Sequence, residues 1–181
     1  MSIPKKVELL EEHVLFHGKR LLLAQRVYEL DGTKFTAEVV KFGQAAAIVP
    51  IKDDGKVVMI RQFRSSLNKW ILEVPAGKVD PGESPEEAAR RELIEEVGYK
   101  AGELVKLASI YMSPGYSDEI LHIFLAKGLI HVERNLDPDE LIEVVEVKIE
   151  EAINMVLSEE IADSKTLSAL FLANERLKGA R

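Results

Sequence analysis

Residues 77–99 read GKVDPGESPEEAARRELIEEVGY, and this stretch decides the fold. Ser84-Pro85-Glu86-Glu87 is a helix start. Ser84 can cap, Pro85 fits the first helical position, and Glu87 stands where a capping box requires it. The helix should run to Val97 and stop at Gly98, which takes a left-handed terminating conformation at little cost. At about 100° per residue, Ala89, Leu93 and Val97 form a face that can be buried. Glu92 and Glu96 are then neighbours one turn apart, Glu95 lies on their flank, and the small Ala88 leaves space beside them. Like charges at this spacing repel by roughly a few tenths of a kcal/mol per pair, which Arg90 and Arg91 partly offset. The face is either a solvated acidic surface or a site for a hard divalent cation, which takes carboxylate and carbonyl oxygens. Helix geometry alone does not choose between them.

Outward from the helix, the chain reads mostly as strands. Residues 20–30 and 33–42 flank Asp31-Gly32, a two-residue link that favours a type I′ hairpin turn. Residues 45–51 and 56–62 flank Asp53-Asp54-Gly55 and predict a second hairpin. Residues 46–51 are almost continuously apolar, as in a strand covered on both faces. A short strand over 70–74 leads into Pro75-Ala76-Gly77, and 78–83 reads as a loop. Strands follow over 104–112 and 119–126, separated by Ser113-Pro114-Gly115-Tyr116, and then over 140–149. Residues 149–157 and 164–177 read as helices, the last capped by Asp163 or Ser164. A boundary near Phe42-Gly43 divides a small N-terminal β-sheet region, 1–43, from a main domain, 44–181.

Composition restricts the function classes. The chain has 181 residues, 46% hydrophobic and 30% charged, with a net charge of -7 and no cysteine. That suits one domain with a small appendage. It excludes disulfides and thiolate zinc sites. No apolar run approaches the roughly 20 residues of a membrane helix, and the first residues lack the apolar core of a signal peptide. A cytoplasmic protein with no membrane partner is expected. The acid excess argues against nucleic-acid binding, which relies on Lys and Arg at phosphates. The charge is concentrated: residues 80–96 hold seven acids and two bases, and 133–151 hold eight acids and two bases. Two acidic segments that could bracket a cation reconcile an acidic protein with an anionic substrate. The histidines, His13, His17, His122 and His131, show no metal-ligand spacing.

Gly77, Glu83, the run Arg91-Glu92-Leu93-Ile94-Glu95-Glu96-Val97-Gly98 and Tyr99 resemble the Nudix box at every fixed position. The one departure is Tyr99, where an aliphatic residue is usual. The resemblance implies an α/β Nudix fold: a mixed β-sheet sandwiched between helices, with the box as loop-helix-loop. It implies cleavage of a nucleoside diphosphate linked to another moiety, with magnesium or manganese. The metal ligands it implies are Glu92, Glu95 and Glu96 with the backbone carbonyl of Ala76. Arg91 would orient the carboxylates, and Glu83 would bond to or hydrate the cluster.

Features outside the box are similar to the ADP-ribose pyrophosphatase group, so that the likeness spans about residues 20–177. They are Arg61-Gln62-Phe63-Arg64 followed by Trp70-Ile71-Leu72-Glu73-Val74-Pro75-Ala76-Gly77, then Ser113-Pro114-Gly115. Asp139-Glu140-Leu141-Ile142-Glu143-Val144 and Asp163-Ser164-Lys165-Thr166 complete the set. The likeness implies catalytic roles for Glu140, Glu95 and Arg91, with Asp139 or Glu143 as alternatives to Glu140. Arg61, Arg64, Pro114 and Gly115 would contact substrate, Arg64 as the stronger candidate for a phosphate clamp.

The expected activity is metal-dependent hydrolysis of ADP-ribose to AMP and ribose 5-phosphate. Another nucleoside diphosphate sugar or dinucleotide is the alternative substrate, and a non-catalytic nucleotide-binding module is the alternative class. The N-terminal strands are too few to stand alone. In the related enzymes such a sheet is exchanged across a homodimer, which is expected here.

Overall fold

The computed structural model describes residues 6–19, 21–136 and 141–179. The chain divides into two compact units. One comprises Met1–Gly43 with Tyr111–Ile120, the other Gln44–Ile110 with Leu121–Arg181.

The first unit is built on a three-stranded antiparallel sheet in the order β1-β2-β3, of Glu8–His17, Leu22–Leu30 and Thr33–Lys41. Asp31 and Gly32 join β2 to β3 with φ of 51° and 77°. Both are positive, as a type I′ turn requires. Glu12 on β1 ties the three strands together, accepting from Lys41 Nζ at 2.5 Å and Arg26 Nε at 2.6 Å. Lys41 first and Arg26 second hold its carboxyl below the usual carboxylate range. The end of β3 is fastened to the returning segment. Val40 N–H donates to Tyr116 O at 2.7 Å, and Phe42 N–H to Asp118 Oδ1 at 2.8 Å. β1 was not foreseen. All its residues are exposed, so no burial pattern imposed a period-two alternation on its sequence.

The second unit carries two sheets. One has the order β7-β4-β9-β8, of Ala76–Lys78, Gln44–Pro50, Ile120–His131 and Tyr99–Tyr111, the outermost residues of β8 and β9 falling in the first unit. The other has the order β10-β5-β6, of Ile142–Lys148, Lys56–Arg64 and Lys69–Glu73. The α/β class, the helices and the small antiparallel sheet agree with the reading of the sequence.

The second hairpin does not form as expected. Beside the turn the two segments are joined by an isolated Ile51–Val57 bridge, and β4 and β5 themselves lie in different sheets. Each strand then pairs elsewhere: β5 with β10 along Ile142–Lys148, and β4 with β7 over Ala45–Ala47. Local turn chemistry brought the strand ends together, but distant partners took their edges. β4 is buried at every residue except Gln44, as its apolar run implied.

Helix α1, Pro85–Val97, has the expected ends. Ser84 and Glu87 form a reciprocal capping box, and Gly98 terminates with φ 72°. Ala88, Ala89, Leu93 and Val97 enter a core with Ala46 and Ile48 of β4, Val58 and Ile60 of β5, and Phe124 and Ala126 of β9. Truncating a buried leucine such as Leu93 to alanine costs roughly 2–5 kcal/mol, so α1 is firmly placed. α2, Ile149–Leu157, and α3, Ser164–Lys178, complete the unit, and Asp163 caps α3 by accepting from Thr166 N–H. No helix among the described residues is long and apolar enough to cross a membrane.

Candidate active site

The three-residue strand β7 and the helix α1 make the centre of the site. Two carboxylates of α1 point inward with its apolar face: Glu92 is 9% exposed and Glu96 1% exposed. Burying a carboxylate costs several kcal/mol or more unless it is hydrogen-bonded and paired. Glu96 Oε2 accepts from the backbone N–H of Ala76 at 2.8 Å. Glu92 lies against Gly77, where an added Cβ would fall 1.8 Å from Oε1. The side chain of Glu95 is 31% exposed at the edge of the group.

Arg91 gathers the acids. Its Nη1 donates to Glu92 Oε1 at 2.7 Å and to Glu95 Oε2 at 2.9 Å. Its Nε and Nη2 grip Glu83 at 3.0 and 2.9 Å, and Nη2 also reaches the carbonyl of Lys78 at 2.9 Å. The Glu83 contact, opposed by burial and aided by Glu92 and Glu95, raises the pKa of Arg91 far above its ordinary value. Glu83 is correspondingly held below the usual carboxylate range, first by Arg91 and then by the Asp80 N–H. One guanidinium thus ties the loop before α1 to the acidic face of the helix.

Glu92 and Glu96 lie buried beside the Ala76–Gly77 backbone, and the missing Cβ of Gly77 makes the space for Glu92. The donor chemistry therefore fits a divalent cation held by Glu92, Glu95, Glu96 and the Ala76 carbonyl. In the described side-chain positions no three His, Cys, Asp or Glu groups among the described residues are already gathered as a metal site. Arg91 Nη1 holds Glu92 and Glu95 instead.

A second polar cluster lies on the face of β5 and β6 that carries Ile60. Arg64 makes two bonds to Glu73, Nε to Oε1 at 2.7 Å and Nη2 to Oε2 at 2.6 Å, and Glu73 is fully buried. Lys165, at the start of α3, also donates to Glu73 Oε2 and to Asp163 Oδ2, the latter at 2.7 Å. Glu73, against the desolvation of burial, raises the pKa of Arg64, and Glu96 and Asp163 add smaller contributions. Of the carboxylates on α1, Glu96 is the one that contributes to this shift.

Ala76, Glu83, Arg91, Glu92, Glu95 and Glu96 are brought together, and Arg64 is held on Glu73, three residues before Ala76. Arg61 is three positions from Arg64 on one strand, hence on the opposite face. It is exposed, and its Cα pairs with that of the exposed Glu143 on β10. Pro114 and Gly115 are exposed in the turn closed by Tyr116 N–H to Ser113 O, in the first unit. Asp139 and Glu140 lie outside the described residues. The cluster of Glu73, Lys165 and Asp163 was not singled out from sequence. Its signal was a lone acid, Glu73, in the otherwise apolar run 70–76, because such a charge, if buried, requires partners.

A family model described as NUDIX domain matches residues 41–170. The chain is 45% identical over 159 residues to an ADP-ribose pyrophosphatase of Bacillus subtilis, covering 86% of each. It is 34% identical over 183 residues to a GDP-mannose pyrophosphatase of Citrobacter koseri, covering 92% of this chain and 94% of that one. A crystal structure of an ADP compounds hydrolase superposes with a TM-score of 0.88 at 28% identity, covering 99% of this chain and 98% of that one.

Proposed function

This chain belongs to the Nudix family, and from that premise we propose that it hydrolyses ADP-ribose to AMP and ribose 5-phosphate with magnesium, manganese being an alternative. It is a Nudix hydrolase; the substrate, the metal and the residue roles are the proposal. The observation that carries it is the pair of buried carboxylates, Glu92 and Glu96, held against the Ala76–Gly77 backbone. Arg91 and the Ala76 N–H already hold these carboxylates, and carboxylate oxygens set side by side in this way are the donors a hard divalent cation takes. The name of the 45% identical relative supports ADP-ribose as the substrate.

The bound metal would neutralise the diphosphate and lower the pKa of a water. The chain's own groups do the rest. Glu92, Glu95 and Glu96 hold the cation. Arg91 orients their carboxylates through its bonds to Glu83, Glu92 and Glu95. Arg64 binds a phosphate oxygen, its fixed guanidinium stabilising charge that builds up in the transition state. Water adds to one phosphorus as the bridging oxygen departs, and a carboxylate takes up the proton. Glu140 is proposed for that role. Pro114 and Gly115 are proposed to contact the substrate, and Arg61 is a weaker candidate.

A homodimer formed through the N-terminal sheet is part of the proposal. β1 exposes Leu9, Val14, Leu15 and Phe16 at 48–59%, and a second copy would cover such a strand. Incubation of purified protein with ADP-ribose and magnesium or manganese should release AMP and ribose 5-phosphate. Absence of AMP with every metal would overturn the reading. A second reading, hydrolysis of another nucleoside diphosphate sugar, is favoured by the GDP-mannose pyrophosphatase relative. A panel including GDP-mannose, ranked by kcat/KM, separates the two.

A further inference from the structure

We propose that Lys165 is a positioning residue for the substrate's diphosphate, acting through Glu73 to keep Arg64 in place. The proposal rests on the reading of Arg64 as a phosphate-binding group.

Glu73 is fully buried and shares its carboxylate between two cations. With Arg64 alone its carboxylate would be fixed from one side only. Lys165 supplies a second positive charge to the same oxygen, Oε2. Asp163 also accepts from Lys165, so the four linked groups are formally neutral, and what Lys165 adds is a second donor that fixes the Glu73 carboxylate on which Arg64 rests. The bonds to Glu73 use Nε and Nη2 of Arg64, which leaves Nη1 as the remaining nitrogen for a phosphate oxygen.

Asp163 is held by Lys165 and by two donors of Thr166. Its Oδ2 accepts from Lys165, from the Thr166 N–H at 3.0 Å and from the Thr166 hydroxyl at 2.6 Å. These bonds fix the first turn of α3. Thr166 Oγ1 in turn accepts the backbone N–H of Val74 at 3.0 Å. Val74 follows Glu73 and lies two residues before Ala76, whose N–H holds Glu96. The start of α3 therefore sets both the cation pair on Glu73 and the strand end that carries the acidic site. Glu73 and Lys165 are 92 residues apart, so the second cation is a tertiary feature of the site.

The test is a double-mutant cycle on the full chain with ADP-ribose and magnesium. Lys165→Met should raise KM about tenfold with kcat within about twofold, the signature of a weakened phosphate contact. Lys165→Arg should restore most of the loss, and Lys165→Gln is used in its place if the Met variant does not fold. In an Arg64→Met background, loss of Lys165 should change KM less than about twofold, because its effect passes through Arg64. An unchanged KM in Lys165→Met, or equal effects in both backgrounds, overturns the proposal. If Arg64→Met itself leaves kcat/KM intact, the reading of Arg64 fails first, and that result is distinct from normal Lys165 variants beside an impaired Arg64 variant.

Discussion

Glu92 rests on Gly77: a Cβ at Gly77 would lie 1.8 Å from Glu92 Oε1 and 2.6 Å from Oε2. No side chain fits between the strand and the carboxylate. Gly77 is not among the glycines with positive φ, so the requirement is space rather than backbone conformation. A residue on β7 thereby sets where a residue on α1 presents its oxygens.

Gly77→Ala should therefore displace the Glu92 carboxylate and leave the backbone unstrained. A loss of about 10–100-fold in kcat/KM is expected, as for disturbed ligand placement. The thermal midpoint should move by only a few degrees, since a flexible side-chain end can yield. Steady-state kinetics and a melting curve on one preparation read both effects. Full activity would mean that the contact has no functional role.

His122 gives a pH dependence away from the site. It is 8% exposed, and its ring bridges Ser109 Oγ at 2.8 Å and Gln44 Oε1 at 2.7 Å. The amide oxygen only accepts, so Nε2 carries the proton and Nδ1 accepts from the serine. Burial first, and Lys106 second, lower the pKa of His122 below the ordinary 6.5. The unfolded chain thus takes up a proton before the folded one. The stability contributed by the neutral ring is present above the unfolded value and is lost as pH falls below it. Urea unfolding of the wild type and of His122→Gln should show their stability difference changing in the wild type's disfavour between about pH 8 and about pH 5.5. A difference independent of pH would contradict this.

Oligomeric state is the third expectation. β1 exposes apolar side chains along its length, Phe16 at 59% and Val14 at 58%, which a second copy would cover. Light scattering at working concentration should give twice the mass of the chain. A monomer at all concentrations would contradict the homodimer.

The parts of this protein legible in its sequence are those set by short-range rules. The caps of α1, the neighbouring Glu92 and Glu96, and the Asp31-Gly32 turn all follow from spacings of a few residues. Glu95 was placed by the same helical arithmetic, whereas the role of Arg91 came from the likeness to the Nudix box. Contacts between distant segments were not legible. Nothing near Glu73 announces Lys165, and nothing in the Asp53-Asp54-Gly55 turn says that β10 will take the edge of β5. β1 escaped because a strand exposed on both faces has no alternation to read. The split of Arg61 and Arg64 onto opposite faces was not read, because the expected strand, 56–62, stopped short of Arg64, which β5 includes.

The account turns on Glu96, the most deeply buried acid of α1. Glu96→Gln keeps the size of the side chain and a carbonyl to accept from Ala76 N–H, and removes only the charge. The decisive measurement is the rate of AMP release from ADP-ribose with saturating magnesium, compared between the folded variant and the wild type. A loss of at least about 100-fold is predicted for a ligand that holds the metal. Release of AMP at the wild-type rate would contradict the claim that these carboxylates do the chemistry.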